Sequence, residues 1–229
     1  MSKKGKKYLA STAMIIKGKA YPLNEAVELV KKTSNVRFDA TVELSVKTNA
    51  NPKFNDQILR GTAVLPHGTG KTKKIAVFVL DEKLDEAKKS GADIYGSTDL
   101  LNNIKNEKID FDILITTTNS IRELAPVAKQ LGPKGLMPSP KAGTVTNDLI
   151  KTVEEFKKGK IEFKLDKTGN VHVPVGKVSF TENKLAENIQ AILDTMEENK
   201  PAGVKGKLIK KVVISSSMGP GILLEYIGK

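Results

Sequence analysis

The chain has 229 residues, 39% of them hydrophobic and 28% charged, which allows one large or two small domains with a real core. Its formal net charge of +12 favours anionic partners, with nucleic acid ahead of acidic membrane surfaces. The absence of cysteine excludes disulfides and cysteine-ligated zinc, and no apolar run resembles a membrane span or a convincing signal peptide. The sequence therefore predicts a soluble cytoplasmic protein.

The first part of the chain combines a helix with two strands. Apolar residues at helical spacing predict a helix over residues 24–32. Strict alternation of apolar and polar residues predicts a half-buried strand over 41–46, and residues 58–65 are interpreted as its neighbour.

A Gly-Thr-Gly-Lys-Thr stretch follows, and it ends like a phosphate-binding loop. Gly70, Lys71 and Thr72 fit that pattern, but Leu65 stands where its first glycine belongs. Residues 74–80 indicate a buried strand, whereas such a loop needs a helix N-terminus to hold phosphate. A turn between strands is the favoured interpretation, and a nucleotide-binding enzyme stays the alternative.

The middle of the chain alternates strands with helices. Strands are predicted over 74–80, 93–95 and 111–116. Helices are predicted over 83–90, over residues from a cap at 97–98 to about 106, and over 120–131. Pro126 is expected to break or kink the last of these helices. A last helix is expected to be capped by Asn147, to bury Leu149, Ile150, Val153 and Phe156, and to stop at Gly159. This order predicts a doubly wound parallel sheet covered on both sides, and it lacks the glycine pattern of dinucleotide binders.

The last part of the chain returns to mixed structure. Residues 160–165 and 171–175 flank Asp-Lys-Thr-Gly-Asn and are predicted to form a hairpin. Thr181 is expected to cap a long helix whose buried stripe is Leu185, Ile189, Ile192, Leu193 and Met196. Strands are predicted over 208–215 and 222–227.

The excess positive charge lies at the two ends of the chain. Residues 67–159 hold 15 basic and 13 acidic residues, which leaves 23 basic and 13 acidic residues elsewhere. We therefore predict an α/β protein of two domains. A split, basic α+β domain comprises residues 1–67 and 160–229, and a Rossmann-like domain of residues 68–159 is inserted in it.

Two glycine-rich loops are candidate binding elements. Residues 131–146 hold three glycines, three prolines and two lysines, so a rigid connector and a binding loop are both open interpretations. Residues 214–221 end a strand with three serines and then glycines, which suits contact with sugar and phosphate. His67 and His172 lie in separate segments, so we expect no histidine metal site, no catalysis and no cofactor.

A third candidate loop, residues 162–172, is charged. Lys164 and Lys167 would lie on its strand and turn, and Thr168 offers a hydroxyl. Asp166 either caps the turn or accepts a bond from a ribose 2′-OH. An ordinary charged hairpin is the alternative.

Five stretches together resemble the bacterial family of large-subunit ribosomal protein L-one, the mobile side-stalk protein. They are LGPKGLMPSPKAGTV, FDATVEL, DQILRGTAVLPHGTGK, GKIEFKLDKTGNVHVPVGKVSF and SSSMGP, and they cover nearly the whole chain. The resemblance implies a basic first domain made of both chain ends, which binds a stalk junction of large-subunit rRNA, and an inserted Rossmann-like domain. It also implies that the protein helps deacylated tRNA leave the exit site and represses translation of its own mRNA.

The resemblance also implies a set of RNA-binding residues. Matched to the family's motifs, these are Glu28, Phe38, Thr41, Lys164, Asp166, Lys167, Thr168, Ser217, Met218 and Gly219. Lys164 stands where relatives often have Arg, and serines stand at 215–217 where threonines are common. The Ser217 hydroxyl is expected to contact RNA. Met218 is expected to pack against RNA or to support its loop.

We expect a monomer off the ribosome, with no membrane partner and no small-molecule substrate. Two rival functions come from other classes of protein. A nucleotide-binding enzyme would use the doubly wound domain, and a non-specific basic RNA chaperone would use charge alone.

Overall fold

Helices and strands alternate through the chain, and the strands form three sheets, which confirms the mixed α/β class. The computed structural model describes residues 5–80 and 83–226. Packing divides the chain into two units. Met1–Gly70 and Ile161–Lys229 make up the first unit, and Lys71–Lys160 make up the second.

The elements carry the following bounds in chain order. The first stretch of the first unit holds α1 (Lys6–Ala13), α2 (Leu23–Thr33), β1 (Thr41–Thr48) and β2 (Arg60–Val64). Then come β3 (Ile75–Phe78), α3 (Leu84–Lys89), β4 (Ile94–Gly96), α4 (Thr98–Lys105), β5 (Ile113–Thr116), α5 (Ala128–Leu131) and α6 (Leu149–Lys158). The chain continues with β6 (Lys160–Lys164), β7 (Asn170–Lys177), α7 (Glu182–Glu198), β8 (Ile209–Ser216) and β9 (Ile222–Leu224).

The first unit is built on a four-stranded sheet in the order β7-β1-β8-β9, with all neighbours antiparallel. Helices α2 and α7 pack on one side of it, the inner face, where Val42, Leu44 and Val46 of β1 are fully buried. The alternate residues of β1, β7 and β8 point to the other side and are exposed or half exposed. We call this side the outer face; its residues are Glu43, Ser45, Lys47, His172, Pro174, Lys211, Val213 and Ser215.

Two strand pairings of the first unit differ from the prediction. The neighbours of β1 are β7 and β8, so β2 cannot pair with it and instead forms a two-stranded sheet with β6. The predicted hairpin of residues 160–175 is reduced to one antiparallel bridge, Leu165 to Val171, because β6 and β7 enter different sheets. Its turn is formed, and Leu165 N–H donates across to the Leu59 carbonyl at 2.9 Å.

The second unit is built on a three-stranded parallel sheet in the order β4-β3-β5. Along β3, Ile75 and Val77 face one apolar cluster, and Ala76 and Phe78 face another. All four are fully buried, as a parallel sheet covered on both sides requires. The predicted parallel arrangement is therefore confirmed.

Several helix boundaries differ from the prediction. Residues 120–131 form a 3₁₀ helix, Ser120–Val127, followed by the short α5, because Pro126 cannot donate an α-helical hydrogen bond. Asp148, not Asn147, caps α6 and accepts a bond from Lys151 N–H at 3.3 Å. Ile150 is 44% exposed, so it does not share the buried face of α6.

Two predicted helix ends hold. Gly159 ends α6 in the left-handed conformation at φ 113°. Helix α7 begins after Thr181, although the threonine side chain makes no capping bond. The last strand is shorter than the predicted 222–227 strand: it ends at Leu224, and residue 227 lies outside the described residues.

Candidate nucleic-acid interface

The start of β1 and the end of β8 bring two predicted site segments together. Ser217 N–H donates to the Thr41 carbonyl at 2.9 Å, and Thr41 N–H donates to the Ser217 hydroxyl at 3.3 Å. Lys177, at the end of β7, donates to the Thr41 hydroxyl at 2.9 Å. We call Phe38, Thr41, Lys177, Ser217 and Met218 the strand-end cluster.

The strand-end cluster presents two large apolar side chains to solvent. Phe38 is 59% exposed and Met218 is 82% exposed, so neither is held by packing within the unit. Met218 lies at φ 64°, a left-handed conformation that is rare for residues other than glycine. Little of the Met218 side chain is covered within the unit, and both of its predicted roles, contact with RNA and support of its loop, stay predictions.

Gly219 shapes the turn that presents Met218. Its N–H donates to the Ser216 carbonyl at 2.8 Å, and a Cβ at position 219 would collide with the Ser216 hydroxyl. Ser216 is buried at the end of β8, so that hydroxyl has little room to move. Glycine at 219 is thus a steric requirement of this turn.

Asp166 organises the turn between β6 and β7. Its carboxylate accepts bonds from Thr168 N–H and the Thr168 hydroxyl, both at 2.8 Å, and from Asn170 N–H at 2.7 Å. The Asn170 backbone bond is the main reason that the pKa of Asp166 falls to about 2, from its ordinary value of 3.8. Of the two predicted roles, turn capping is confirmed, and contact with a ribose stays a prediction.

The Asp166 turn is attached to the far end of β1. Lys47 donates to the Thr168 carbonyl at 2.5 Å, and Thr48 N–H donates to the Gly169 carbonyl at 3.0 Å. Since β1 runs from Thr41 to Thr48, the strand-end cluster and the Asp166 turn lie at opposite ends of one strand, roughly 23 Å apart. The structure therefore divides the predicted site residues into two groups rather than one.

Two predicted lysines flank the Asp166 turn. Lys164 ends β6 and Lys167 lies in the turn itself, and both side chains are exposed. Exposed ammonium groups on a fixed turn can neutralise phosphates without displacing a protein partner.

The outer face connects the two groups, and sequence reasoning missed it. Ser45 and His172 are direct partners on β1 and β7, and the Ser45 hydroxyl lies 3.0 Å from His172 Nδ1. Lys47 and Lys211 are likewise partners on β1 and β8. The polar positions of the alternating pattern over 41–46 were a signal for this face, since they must point away from the core.

The structure does not join Glu28 to either group. It is half exposed on α2, and its carboxylate pairs with Lys32. Helix α2 packs on the inner face, and no hydrogen bond or ion pair within residues 5–80 and 83–226 connects Glu28 to the two groups. Its contact with RNA stays a prediction.

The Gly-Thr-Gly-Lys-Thr stretch has another structural explanation. Gly70 lies at φ 71°, and a Cβ there would come within 2.8 Å of the Lys177 side chain and 3.0 Å of Phe180. The chain then enters strand β3, and the next described helix begins only at Leu84. A phosphate loop needs a helix directly after its lysine, so this geometry does not support nucleotide binding.

The proline-rich loop 131–146 extends the parallel sheet of the second unit. Thr116 N–H donates to the Thr144 carbonyl at 2.9 Å, and Thr146 N–H donates back to the Thr116 carbonyl at 3.0 Å. Val145 thereby forms a parallel bridge with Thr116 at the edge of the sheet. Lys134 and Lys141 remain exposed on this loop. The rigid-connector interpretation accounts for these contacts.

In the described part of the chain, no group of three or more histidine, aspartate or glutamate side chains is arranged to hold a metal ion. No helix in residues 5–80 or 83–226 has the length and apolar character needed to cross a bilayer.

Comparison with protein families gives one match over most of the chain. A model of the Ribosomal protein L1p/L10e family matches residues 30–220. The matched region contains both groups of site residues and the outer face, and it begins just after Glu28. This is a family of structural, RNA-binding proteins rather than of enzymes. The chain therefore belongs to the Ribosomal protein L1p/L10e family and is a large-subunit ribosomal protein that binds rRNA.

Proposed function

We propose that this protein binds the stalk junction of large-subunit rRNA through the outer face and the two groups at its ends. One observation carries the proposal. The hydrogen bonds between Thr41 and Ser217 assemble two motif segments, 176 positions apart in sequence, at the edge of an accessible polar sheet face. A purely structural pairing of strands would not require Met218 to be exposed beside them.

The chemistry of the surface suits a folded RNA junction. Lys47, Lys164, Lys167 and Lys211 offer ammonium groups to phosphates, which makes affinity depend on salt. The hydroxyl of Ser45, like that of Thr41, can bond to sugar edges, and exposed Phe38 and Met218 can pack on unpaired bases. Two groups about one strand length apart favour a ligand of fixed shape over a flexible single strand.

Ser217 also has a structural role, in addition to its predicted contact with RNA. Its hydroxyl lies within hydrogen-bond distance of both the N–H and the carbonyl of Thr41, at 3.3 and 3.4 Å. Replacing Ser217 by Ala would therefore loosen the junction of β1 and β8 and remove an RNA contact together. Replacing it by Thr keeps the hydroxyl and is the matched control.

The domain assignment is part of the proposal. Residues 1–67 and 160–229 form the RNA-binding domain, and residues 68–159 form an inserted Rossmann-like domain that helps reach exit-site tRNA. The division into two packing units and the charge excess at both chain ends support it. Replacing Gly68–Lys158 by a short glycine-serine linker should preserve most rRNA affinity, and loss of binding by a folded deletion would refute the assignment.

On the ribosome, this protein would help deacylated tRNA leave the exit site. Free in the cytoplasm, as a monomer, it would bind a similar fold in its own mRNA and repress translation. The mRNA role predicts that a leader fragment of the message competes with the rRNA junction for one site. Simultaneous binding of both RNAs would contradict it.

The proposal is tested by titrating the protein with a stalk-junction rRNA fragment and with a scrambled duplex of equal length, over a range of salt. Recognition of shape predicts a preference for the junction that persists as salt rises. Equal affinities that fall together would instead favour a non-specific basic chaperone, because charge alone would then explain binding.

A further inference from the structure

A cavity of about 350 Å³ opens beside the outer face, between α1 and the strands β8 and β9. Tyr8 and Thr12, one helical turn apart, line it from α1. Val213 and Leu223 line it from the sheet, where they are direct partners and so share a face. The volume lies at the lower end of the ~300–1,000 Å³ that small-molecule sites occupy.

The loop that closes the cavity is fixed by the fold. Tyr21 attaches to β9 through Tyr21 N–H to the Leu223 carbonyl, at 2.9 Å, and Glu225 N–H to the Tyr21 carbonyl, at 2.8 Å. The Tyr21 hydroxyl in turn accepts a bond from Ile16 N–H at 2.9 Å. Lys19 N–H donates to the Ile16 carbonyl at 3.2 Å and completes the turn. The cavity wall therefore exists without a ligand.

The rim of the cavity is cationic over an apolar floor. Lys17, Lys19 and Lys211 line it, and no acidic residue does so among the described residues. Lys19 is partly neutralised, since its ammonium lies 3.7 Å from the Glu25 carboxylate. Within residues 5–80 and 83–226, Lys17 and Lys211 make no ion pair. Two available ammonium groups above apolar side chains match a ligand with a flat apolar part and a phosphate.

The cavity is continuous with the proposed RNA surface. Val213 is paired with Ser45 across β8 and β1, and Lys211 is paired with Lys47. An RNA strand on the outer face would thus pass within about one strand spacing, ~4.8 Å, of the cavity mouth. A nucleotide is therefore the ligand that geometry and charge favour.

We propose that this cavity holds one unpaired nucleotide of the RNA that the outer face binds. The base lies against Tyr8, Val213 and Leu223, and Lys17 and Lys211 neutralise its adjacent phosphates. This subsite rests on the proposed function. Its α1 side lies outside the residues 30–220 matched by the family model.

The chain contains no tryptophan, so a single Tyr8→Trp substitution gives a fluorescent reporter inside the cavity. Tyr95→Trp, on β4 of the second unit, is the matched control. Each reporter variant is titrated with the stalk-junction fragment, and anisotropy of the labelled RNA follows total binding. A second comparison uses two double variants. Lys17→Ala combined with Lys211→Ala removes two charges from the cavity rim, and Lys88→Ala combined with Lys89→Ala removes the same charge from α3.

The subsite predicts that RNA quenches the indole emission of the Tyr8→Trp variant over the same concentrations at which anisotropy rises. The emission of the Tyr95→Trp variant should stay unchanged. Loss of Lys17 and Lys211 should weaken binding ~10-fold and reduce the salt slope by about 1.4, well beyond the control pair. If the Tyr8→Trp variant bound RNA without quenching, and the two double lysine variants bound RNA with equal affinity, the subsite alone would be overturned. Failure of the unaltered chain to bind the junction would overturn the proposed function and the subsite with it.

Discussion

The β-sheets of the two units are covered in different ways. The parallel sheet of the second unit is covered on both sides, so every residue of β3 is buried and none can meet a ligand. The antiparallel sheet of the first unit is covered by α2 and α7 on its inner face, which leaves polar side chains of β1, β7 and β8 on the outer face. The first unit can therefore recognise a ligand along whole strands of its sheet, whereas β3, the central strand of the second unit, is closed to a ligand.

The largest effect is expected from breaking the core of the covered sheet. Phe78→Ala should destabilise the protein by ~3–5 kcal/mol, because a fully buried aromatic ring is lost and a cavity remains. Affinity of the folded protein for the stalk junction should hardly change. Denaturant unfolding and RNA titration check the two parts.

Tyr95→Ala on the same sheet is the control for Phe78→Ala. Tyr95 is 45% exposed, so its loss should cost far less stability. A large fall of junction affinity in folded Phe78→Ala protein would place recognition in the second unit and remove the contrast.

Charge reversal beside the Asp166 turn should produce the next largest effect. Lys164→Glu combined with Lys167→Glu replaces two cations by anions close to phosphates and should weaken junction binding ~100-fold. Lys88→Glu combined with Lys89→Glu makes the same change of net charge on α3. Equal losses in the two double variants would mean that net charge, not the position of the lysines beside the Asp166 turn, determines binding.

Gly219→Ala tests the strand-end cluster. The added Cβ must collide with the Ser216 hydroxyl, so the turn that presents Met218 has to move. We expect junction affinity to fall ~10-fold, with a loss of stability of about 1–3 kcal/mol. Gly5→Ala, where a Cβ would meet nothing within 4 Å, should leave junction affinity at that of the unaltered chain. An unchanged affinity for Gly219→Ala would exclude the turn from recognition.

Asp166→Asn tests how much the negative charge of the carboxylate stabilises the Asp166 turn. The carboxylate has a pKa of about 2 in the folded protein and 3.8 as its ordinary value, so it stabilises the fold above pH 3.8. That contribution is lost as pH falls through about 2. Because the group is partly exposed, the melting temperature at pH 6 should drop by only about 1–3 °C in the variant. Thermal unfolding from pH 6 to 2 should show this gap closing; a gap independent of pH would contradict the role of the charge.

The smallest expected effect is a gain in affinity for the stalk junction. Lys164→Arg allows a two-bond contact with a phosphate in place of a point charge. Junction affinity should rise about twofold, while Lys88→Arg should leave it unchanged. Weaker binding by Lys164→Arg would show that this position does not face a phosphate.

Local patterns predicted most of the fold, and long-range pairing accounts for the differences. The alternation over 41–46 located β1, and the continuous apolar run before Leu80 located β3, since both depend on neighbouring residues. The partner of β2 could not be derived in this way, because its choice of β6 follows from β7 and β8 occupying both edges of β1.

The candidate site shows the same limit. Thr41 and Ser217 were identified from separate motifs, but no local pattern reveals that they are hydrogen-bonded to each other. The polar positions of β1 indicated that one face of the sheet is accessible. Only the pairing of β1 with β7 and β8 shows that this face also carries His172 and Lys211.

The most direct test of recognition by the outer face is lysine footprinting with mass spectrometry on the free and RNA-bound full chain. Lysines are acetylated under mild conditions with and without the stalk-junction fragment, and the scrambled duplex serves as the control RNA. We predict that the junction protects Lys47, Lys164, Lys167 and Lys211 while Lys88 and Lys89 react equally in both states. Protection confined to the second unit, or spread evenly over all surface lysines, would contradict recognition by the outer face.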